Sequence, residues 1–253
     1  MLVGFFAGLL GIGGGAIMVP ALTAFFLWQG MNPDVVVHLA LATSMSCIVI
    51  NAIISIRTHQ KHKAILWSIT YQISPAVLVG SGLATYFVIQ IPSKSIALIF
   101  MVLMLAVAAQ MMFGFKPKSQ ANKEINTIEL LPVGFIIGFL SALIAIGGGS
   151  LTVPYLSWHR INIQKAIATA ASIGLPLAMA GCFVFIIKGV GQPHLPDQVL
   201  GYVYWPATLA ITAGSITTTS CGAHLTHRLP IPLLKRLFAG LIVLLALRMY
   251  FSF

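Results

Sequence analysis

The chain has 253 residues, of which 58% are hydrophobic and 7% charged, with a formal net charge of +10. Ordinary soluble domains carry roughly 25% charged residues, which excludes a soluble globular enzyme. With so little polar surface, the basic excess points to loops facing an anionic cytoplasmic leaflet rather than to nucleic acid.

In chain order, polar breaks separate eight apolar stretches, at 1–28, 35–56, 64–88, 95–113, 130–157, 165–187, 199–222 and 233–252. A spanning helix needs about 20 predominantly apolar residues, so nearly the whole chain can lie in a bilayer as an all-α polytopic membrane protein. The first stretch lacks a basic n-region and belongs to a repeated pattern, which argues against a cleaved signal peptide. With no lead-in before it, Met1 reads as a late start. Cys47, Cys182 and Cys221 lie within or at the edges of apolar stretches, an odd set that reads as packed thiols rather than a disulfide framework. The longest polar insertion, 115–129, reads as a cytoplasmic linker between an N-terminal membrane repeat at 1–114 and a C-terminal one at 130–253.

The halves resemble each other. The run from Ile12 to Leu22 aligns without a gap on Ile146 to Leu156, each with a glycine triplet followed five residues later by Pro20 or Pro154. Ala40-Leu41-Ala42-Thr43 matches Ala166-Ile167-Ala168-Thr169, and Met111-Met112-Phe113 stands where Met249-Tyr250-Phe251 does. Four segments therefore form one repeat, an arrangement from which many secondary transporters are built, with substrate held where the repeats meet.

Lysines and arginines test the orientation. If all eight segments cross once, eight basic residues fall on one side and six on the other, which is no bias. If segments 1 and 5 enter and return to the same side, the second half is inverted. Arg57, Lys61, Lys63, Lys116, Lys118, Lys123, Arg160, Lys165, Arg228, Lys235 and Arg236 then share one side, leaving only Lys94, Lys188 and Arg248 opposite. Eleven against three is the positive-inside distribution. The sequence thus predicts two inverted-topology repeats of four hydrophobic segments, with segments 1 and 5 broken and re-entrant at Gly-Gly-Gly and both termini periplasmic.

Three consecutive glycines break a helix at membrane depth, which is tolerable only where the freed backbone lines a cavity or is buried in protein. Helical apolar character resumes at Ala16 and Ser150, so each break presents a half-helix N-terminus with unpaired N–H groups and a positive dipole end. Gly13, Gly14, Gly15 and Ala16, with Gly147, Gly148, Gly149 and Ser150, are therefore candidate anion-binding residues. Gly4, Gly8 and Gly138 read instead as close-packing glycines. No Gly-Lys-Ser/Thr follows either triplet, so a nucleotide-binding loop is not indicated.

This pair of motifs, Gly8-x-x-Gly11-Ile12-Gly13-Gly14-Gly15 with Pro20 and Ile146-Gly147-Gly148-Gly149 with Pro154, resembles the sulfite exporter TauE/SafE family over essentially the whole chain. The resemblance implies export of small sulfur-containing anions, of the sulfite, sulfonate or sulfoacetate class, across the bacterial inner membrane. It implies a permease rather than an enzyme, with no cofactor. Its partners are the anion and membrane lipid, not nucleic acid. Lipid-facing and dimer-forming surfaces share one composition, so no oligomeric state follows.

Hydroxyl groups suit sulfur oxyanions, which are hydrogen-bond acceptors. Thr43, Ser44, Ser46 and Asn51 lie in segment 2, and Thr169 and Ser172 in segment 6, with Thr43 and Thr169 at equivalent positions. Thr43, Ser44, Thr169 and Ser172 are expected to orient the anion, and Arg57, Lys61, Lys63 and Lys165 to concentrate it at the cytoplasmic entrance.

All four acids, Asp34, Glu124, Glu129 and Asp197, lie in loops or at segment ends, which disfavours a central proton relay. An anion leaving an inside-negative cell instead gains about 2.3 kcal/mol per charge per 100 mV. His38, at a segment start, reads as interfacial. The alternative function is a transition-metal cation transporter using Cys221, His224 and His227, which recur every three residues but sit beside Arg228 at the basic end. A metal site is not the favoured reading. An intramembrane hydrolase is disfavoured as well, because Leu151 after Ser150 does not fit a nucleophile elbow, and no catalytic residue is assigned.

Overall fold

A computed structural model describes residues 14–113, 127–193, 195–225 and 231–252. These form nine helices and one two-stranded hairpin. The helices are α1 (Gly15–Trp28), α2 (Pro33–Lys61), α3 (Trp67–Val88), α4 (Ser93–Phe113), α5 (Thr127–Leu143), α6 (Gly149–Trp158), α7 (Ile163–Gly189), α8 (Trp205–Leu225) and α9 (Ile231–Tyr250). Strands β1 (Val199–Leu200) and β2 (Val203–Tyr204) pair antiparallel between α7 and α8. Gly13 and most of the 115–129 insertion lie outside the described residues, as do Gly4, Gly8 and Gly11.

Three helices, α2, α4 and α7, are long and apolar enough to cross a membrane by length and composition. Their polarity is arranged inside out. Large apolar side chains such as Tyr71, Phe87, Val102, Phe183 and Ile187 are exposed, whereas Thr43, Ser44, Asn51, Thr169 and Ser172 are buried. An exterior of this kind suits hydrocarbon, and the buried hydroxyls are available to glue helices together where lipid supplies no hydrophobic drive between them.

The ends of the long helices are legible in local chemistry. Asn32 and Asn162 cap α2 and α7, their side-chain oxygens accepting from Asp34 N–H and Gln164 N–H at 2.9 Å in each case. Pro33 opens α2 and Asp34 follows in its first turn, which suits a helix N-terminus. The 35–56 segment continues to Lys61 because the last turns are amphipathic: Thr58 and His59 are buried while Arg57, Gln60 and Lys61 face outward. The 199–222 segment is corrected similarly. Its first residues form the hairpin, and Gly201, at φ 59, lets that turn lie against the α7 backbone at Ile186.

The 130–157 segment is two helices. α5 ends at Leu143, and Ala145 adopts φ 45 while Ile146 N–H reaches back to Ser141 C=O at 3.0 Å, a left-handed helix termination. α6 starts at Gly149, so the chain is non-helical over 144–148. At the usual rise, α6 is about 15 Å long and α1 about 21 Å, both short of the roughly 30 Å hydrocarbon thickness.

At the centre, α2 and α7 run antiparallel. Met45 lies against Gly181, and Leu66, just after α2, meets Thr169 at the start of α7. α3 packs on α7 and α8 on α2, so each half lays a helix against the other's central helix. α5 packs on α3 through glycines: a Cβ on Gly138 would strike the Val77 backbone, and one on Gly134 would lie 2.6 Å from Ile73 Cγ1. Gly134 and Gly138 are spaced as a small-xxx-small contact, the packing role read for Gly138. α4 and α9 pair at the periphery through Phe100, Met104, Ile242 and Ala246.

Candidate anion site

The start of α1 and the break before α6 meet. Gly14, the α1 N-cap, is left-handed at φ 78, and its carbonyl accepts from Ile17 and Met18 N–H, each at 3.1 Å. A side chain on Gly15 would collide with the carbonyl of Ala145 and lie 3.1 Å from Ile48 Cδ1. In the second half, a Cβ on Gly174 of α7 would lie 3.7 Å from Gly148 N and 3.9 Å from Gly147 Cα, so this glycine turn rests on α7. Ala16, Gly147, Gly148 and Gly149 are all buried.

Neither short helix has a side-chain N-cap, although both starts are buried. The first N–H groups of a helix have no intrahelical partner, and burying them uncapped is unfavourable unless something else accepts. Ser150 Oγ, Thr152 Oγ1 and Ser44 Oγ are also buried without a hydrogen-bond partner among the described residues. Each such group costs about 1–3 kcal/mol. Donors without acceptors are what an oxyanion can satisfy, and the positive ends of α1 and α6 favour negative charge.

Thr43 and Thr169 do something the sequence reading missed. Tyr204 N–H, at the head of α8, donates to Thr43 Oγ1 at 3.0 Å, and Leu66 N–H, at the head of α3, donates to Thr169 Oγ1 at 3.0 Å. One turn on, Ser46 Oγ lies 2.8 Å from Thr208 Oγ1, and Ser172 Oγ lies 2.7 Å from Thr70 Oγ1. Ser46 and Ser172 each donate to the carbonyl of Thr43 or Thr169 at 2.7 Å, which leaves Thr208 and Thr70, each 3.3 Å from the carbonyl of Tyr204 or Leu66, to donate within the hydroxyl pair. Both interfaces thus carry one hydrogen-bond pattern at aligned positions. The counterpart of Ser172 is Ser46 rather than Ser44, whose aligned residue is Ala170. Thr70 and Thr208 were findable: the offset that pairs Met111 with Met249 pairs them too.

His38, near the start of α2, is buried in the protein. Its Nε2 lies 3.2 Å from Val88 O and 3.1 Å from Ile91 O, so it clamps the far end of α3, and its ring sits 5.7 Å from that of Tyr202. Arg57, Lys61, Lys63 and Lys165 are exposed, and the contact between Ala64, Ile65 and Ala168 brings them to one end of the molecule. The side chains of Cys221 and His224 lie outside the described set, as does His227 altogether. A cavity of about 450 Å³ between α1 and α8 is lined by apolar groups such as Met18, Leu22, Phe25, Ala207 and Ile211, unlike an anion site.

Residues 1–249 match the sulfite exporter TauE/SafE family. The chain belongs to that family. A probable membrane transporter protein of Haemophilus influenzae is 35% identical over 98% of this chain and 94% of its own length. One from Methanocaldococcus jannaschii is 30% identical over 90% of this chain and 86% of its own. The probable membrane transporter protein YunE of Bacillus subtilis is 25% identical over 90% and 86%. No solved structure matches. This TauE/SafE member is therefore a multi-pass membrane transporter, and its helices carry the polarity such a protein needs.

Proposed function

We propose that this permease exports small sulfur-containing anions, of the sulfite, sulfonate or sulfoacetate class, across the bacterial inner membrane by alternating access between two inverted repeats. The observation that carries the reading is a pair of short helices, α1 and α6, that start buried and without side-chain caps, the α1 start lying against the Ala145 carbonyl in the break before α6, with Ser44, Ser150 and Thr152 unpartnered among the described residues. The family's name supplies the sulfur class.

In this mechanism α1 and α6 are the inner limbs of re-entrant hairpins, and the anion is received at Gly13-Gly14-Gly15-Ala16 and Gly147-Gly148-Gly149-Ser150, by the backbone N–H groups there other than that of Gly149, which donates to Gly147 O. Ser44, Ser150 and Thr152 donate hydroxyl protons to it. Thr43 and Thr169 accept a backbone N–H with one lone pair and keep a proton for the anion, while Ser172 fixes the α3 face. Antiparallel α2 and α7 and the reciprocal hydrogen bonds support the inverted repeat: each central helix holds the head of a helix from the other half, so rocking of one half changes both faces at once. Arg57, Lys61, Lys63 and Lys165 gather anions at the cytoplasmic mouth, and both termini lie in the periplasm. The membrane potential drives the anion outward.

The test is purified protein in liposomes loaded with sulfite or sulfoacetate, with a potassium diffusion potential set positive, negative or to zero. Efflux should follow the sign of the potential. Absence of anion flux at every potential, with movement of a divalent metal instead, would overturn the reading.

A further inference from the structure

Below the matched hydrogen bonds the two interfaces part company. On α2, Asn51 and Ser55 are four residues apart and share a face; on α8, Thr212 and Ser215 are three apart and do the same. Ser215 Oγ donates to Asn51 Oδ1 at 2.7 Å and ties the pairs together. All four are buried, with exposures of 1% for Asn51, 4% for Ser55, 7% for Thr212 and none for Ser215. Asn51 Nδ2 and Ser55 Oγ have no hydrogen-bond partner among the described residues, and Thr212 Oγ1 has only the weakly bonding Cys47 thiol beside it.

The fold does not need these groups. At the aligned positions of the other interface stand Leu177 for Asn51, Gly181 for Ser55, Ser74 for Thr212 and Val77 for Ser215. There Leu177 and Val77 are fully buried apolar side chains, Ser74 donates to Thr70 O at 2.6 Å, and Gly181 packs on Met45 and Thr85. One interface closes mainly with packed hydrocarbon and leaves the Thr85 hydroxyl unpartnered beside Gly181, while its counterpart gathers an amide NH2 and hydroxyls from two facing helices. A packing role explains the first and leaves the second unexplained.

We propose that Asn51, Ser55, Thr212 and Ser215 form a second oxyanion-binding station, between α2 and α8, through which the transported anion passes. The chemistry is that of a donor set. The Asn51 amide oxygen is already engaged by Ser215, so the group offers an NH2 and two hydroxyls, which suits an acceptor-only ligand such as a sulfite or sulfonate head. The station lies two turns along α2 from Thr43, towards the end that carries Arg57, Lys61 and Lys63, so it stands on the cytoplasmic approach to the glycine site. This inference rests on the anion-permease reading above.

The experiment compares the wild-type protein with Asn51→Leu, Asn51→Asp and Ser55→Gly in liposomes, measuring sulfite and methanesulfonate flux against concentration and with sodium present or absent. Asn51→Leu and Ser55→Gly install the residues that the other interface already accommodates, so folding is retained, and size-exclusion elution checks it. The expected result is a loss on the order of tenfold in kcat/KM for Asn51→Leu, carried mainly by KM, and a smaller loss for Ser55→Gly. Asn51→Asp, which puts an acid where an oxyanion must sit, should lose more than Asn51→Leu. Unchanged KM and kcat in Asn51→Leu, beside an active wild type, would overturn the station and leave the permease reading standing. Flux that gains a sodium requirement in Asn51→Asp would overturn it in favour of a cation site. No sulfur-anion flux from the wild type would overturn both readings together.

Discussion

The α3–α7 and α2–α8 interfaces are built on one hydrogen-bond pattern and then finished differently. Each has a threonine receiving the first N–H of the neighbouring helix and a serine–threonine hydroxyl pair one turn on. Beyond that turn, α3–α7 is sealed by Leu177 and Val77 and by Ser81 donating to Leu177 O at 2.7 Å, whereas α2–α8 carries Asn51 and Ser215. The shared part is what holds two halves in register. The unshared part is what the fold does not require, and is therefore where specificity for cargo can be written.

The largest expected effect sharpens a related contrast, between the two glycine turns. Gly15→Ala drives a methyl group into a backbone carbonyl that cannot move aside, whereas Gly148→Ala meets Thr152 Oγ1 at 3.4 Å and Ile173 Cγ2 at 3.6 Å, ordinary contact distances. Overpacking a tight site costs about 1–3 kcal/mol or more. Gly15→Ala should lower the thermal midpoint in detergent and abolish flux, and Gly148→Ala should leave folding nearly intact. Equal midpoints for the two would show that the α1 start is not pinned against Ala145.

Next comes the shared pattern itself. Thr43→Val and Thr169→Val each strand a backbone N–H, of Tyr204 or Leu66, and should destabilise by about 1–3 kcal/mol, read as matched falls in the thermal midpoint. The serine replacements keep the acceptor and should restore most of it. A large fall at one threonine and none at the other would break the equivalence of the interfaces.

The smallest effect concerns the hydroxyl pairs. The Ser172–Thr70 bond is buried and the Ser46–Thr208 bond part-buried, so Ser172→Ala should cost about 1 kcal/mol and Ser46→Ala less. The reverse order in unfolding midpoints would mean that water does not reach the Ser46 side more readily.

How much was readable in the chain differs by level. The glycine triplet before Pro154 predicts a helix break, because three residues without Cβ give a helix neither propensity nor packing; α5 ends at Leu143, ahead of the triplet, and α6 starts at Gly149, its last member. The equivalence of Thr43 and Thr169 was also readable, as a repeated Ala-x-Ala-Thr. Their hydrogen-bond partners were not. Tyr204 and Leu66 contribute only main-chain N–H groups, which have no residue-type signature. The burial of His38 was not readable for a similar reason: its partners, Val88 O and Ile91 O, are carbonyls fifty or more residues away at the end of another helix. The hairpin before α8 was hidden because its apolar residues continue the hydropathy of the helix that follows.

The sequence by itself determined the environment and pointed to the duplication, since both are written in composition and in side-chain identity at fixed spacing: a mostly apolar chain cannot leave the bilayer, and two glycine–proline motifs align without a gap. Only the tertiary structure decided that each half lends a helix head to the other's central threonine, that Gly15 abuts Ala145, and that Asn51 meets Ser215. Those contacts join backbone and side-chain groups from distant parts of the chain, so they exist only once helix packing has chosen which polar groups are buried together.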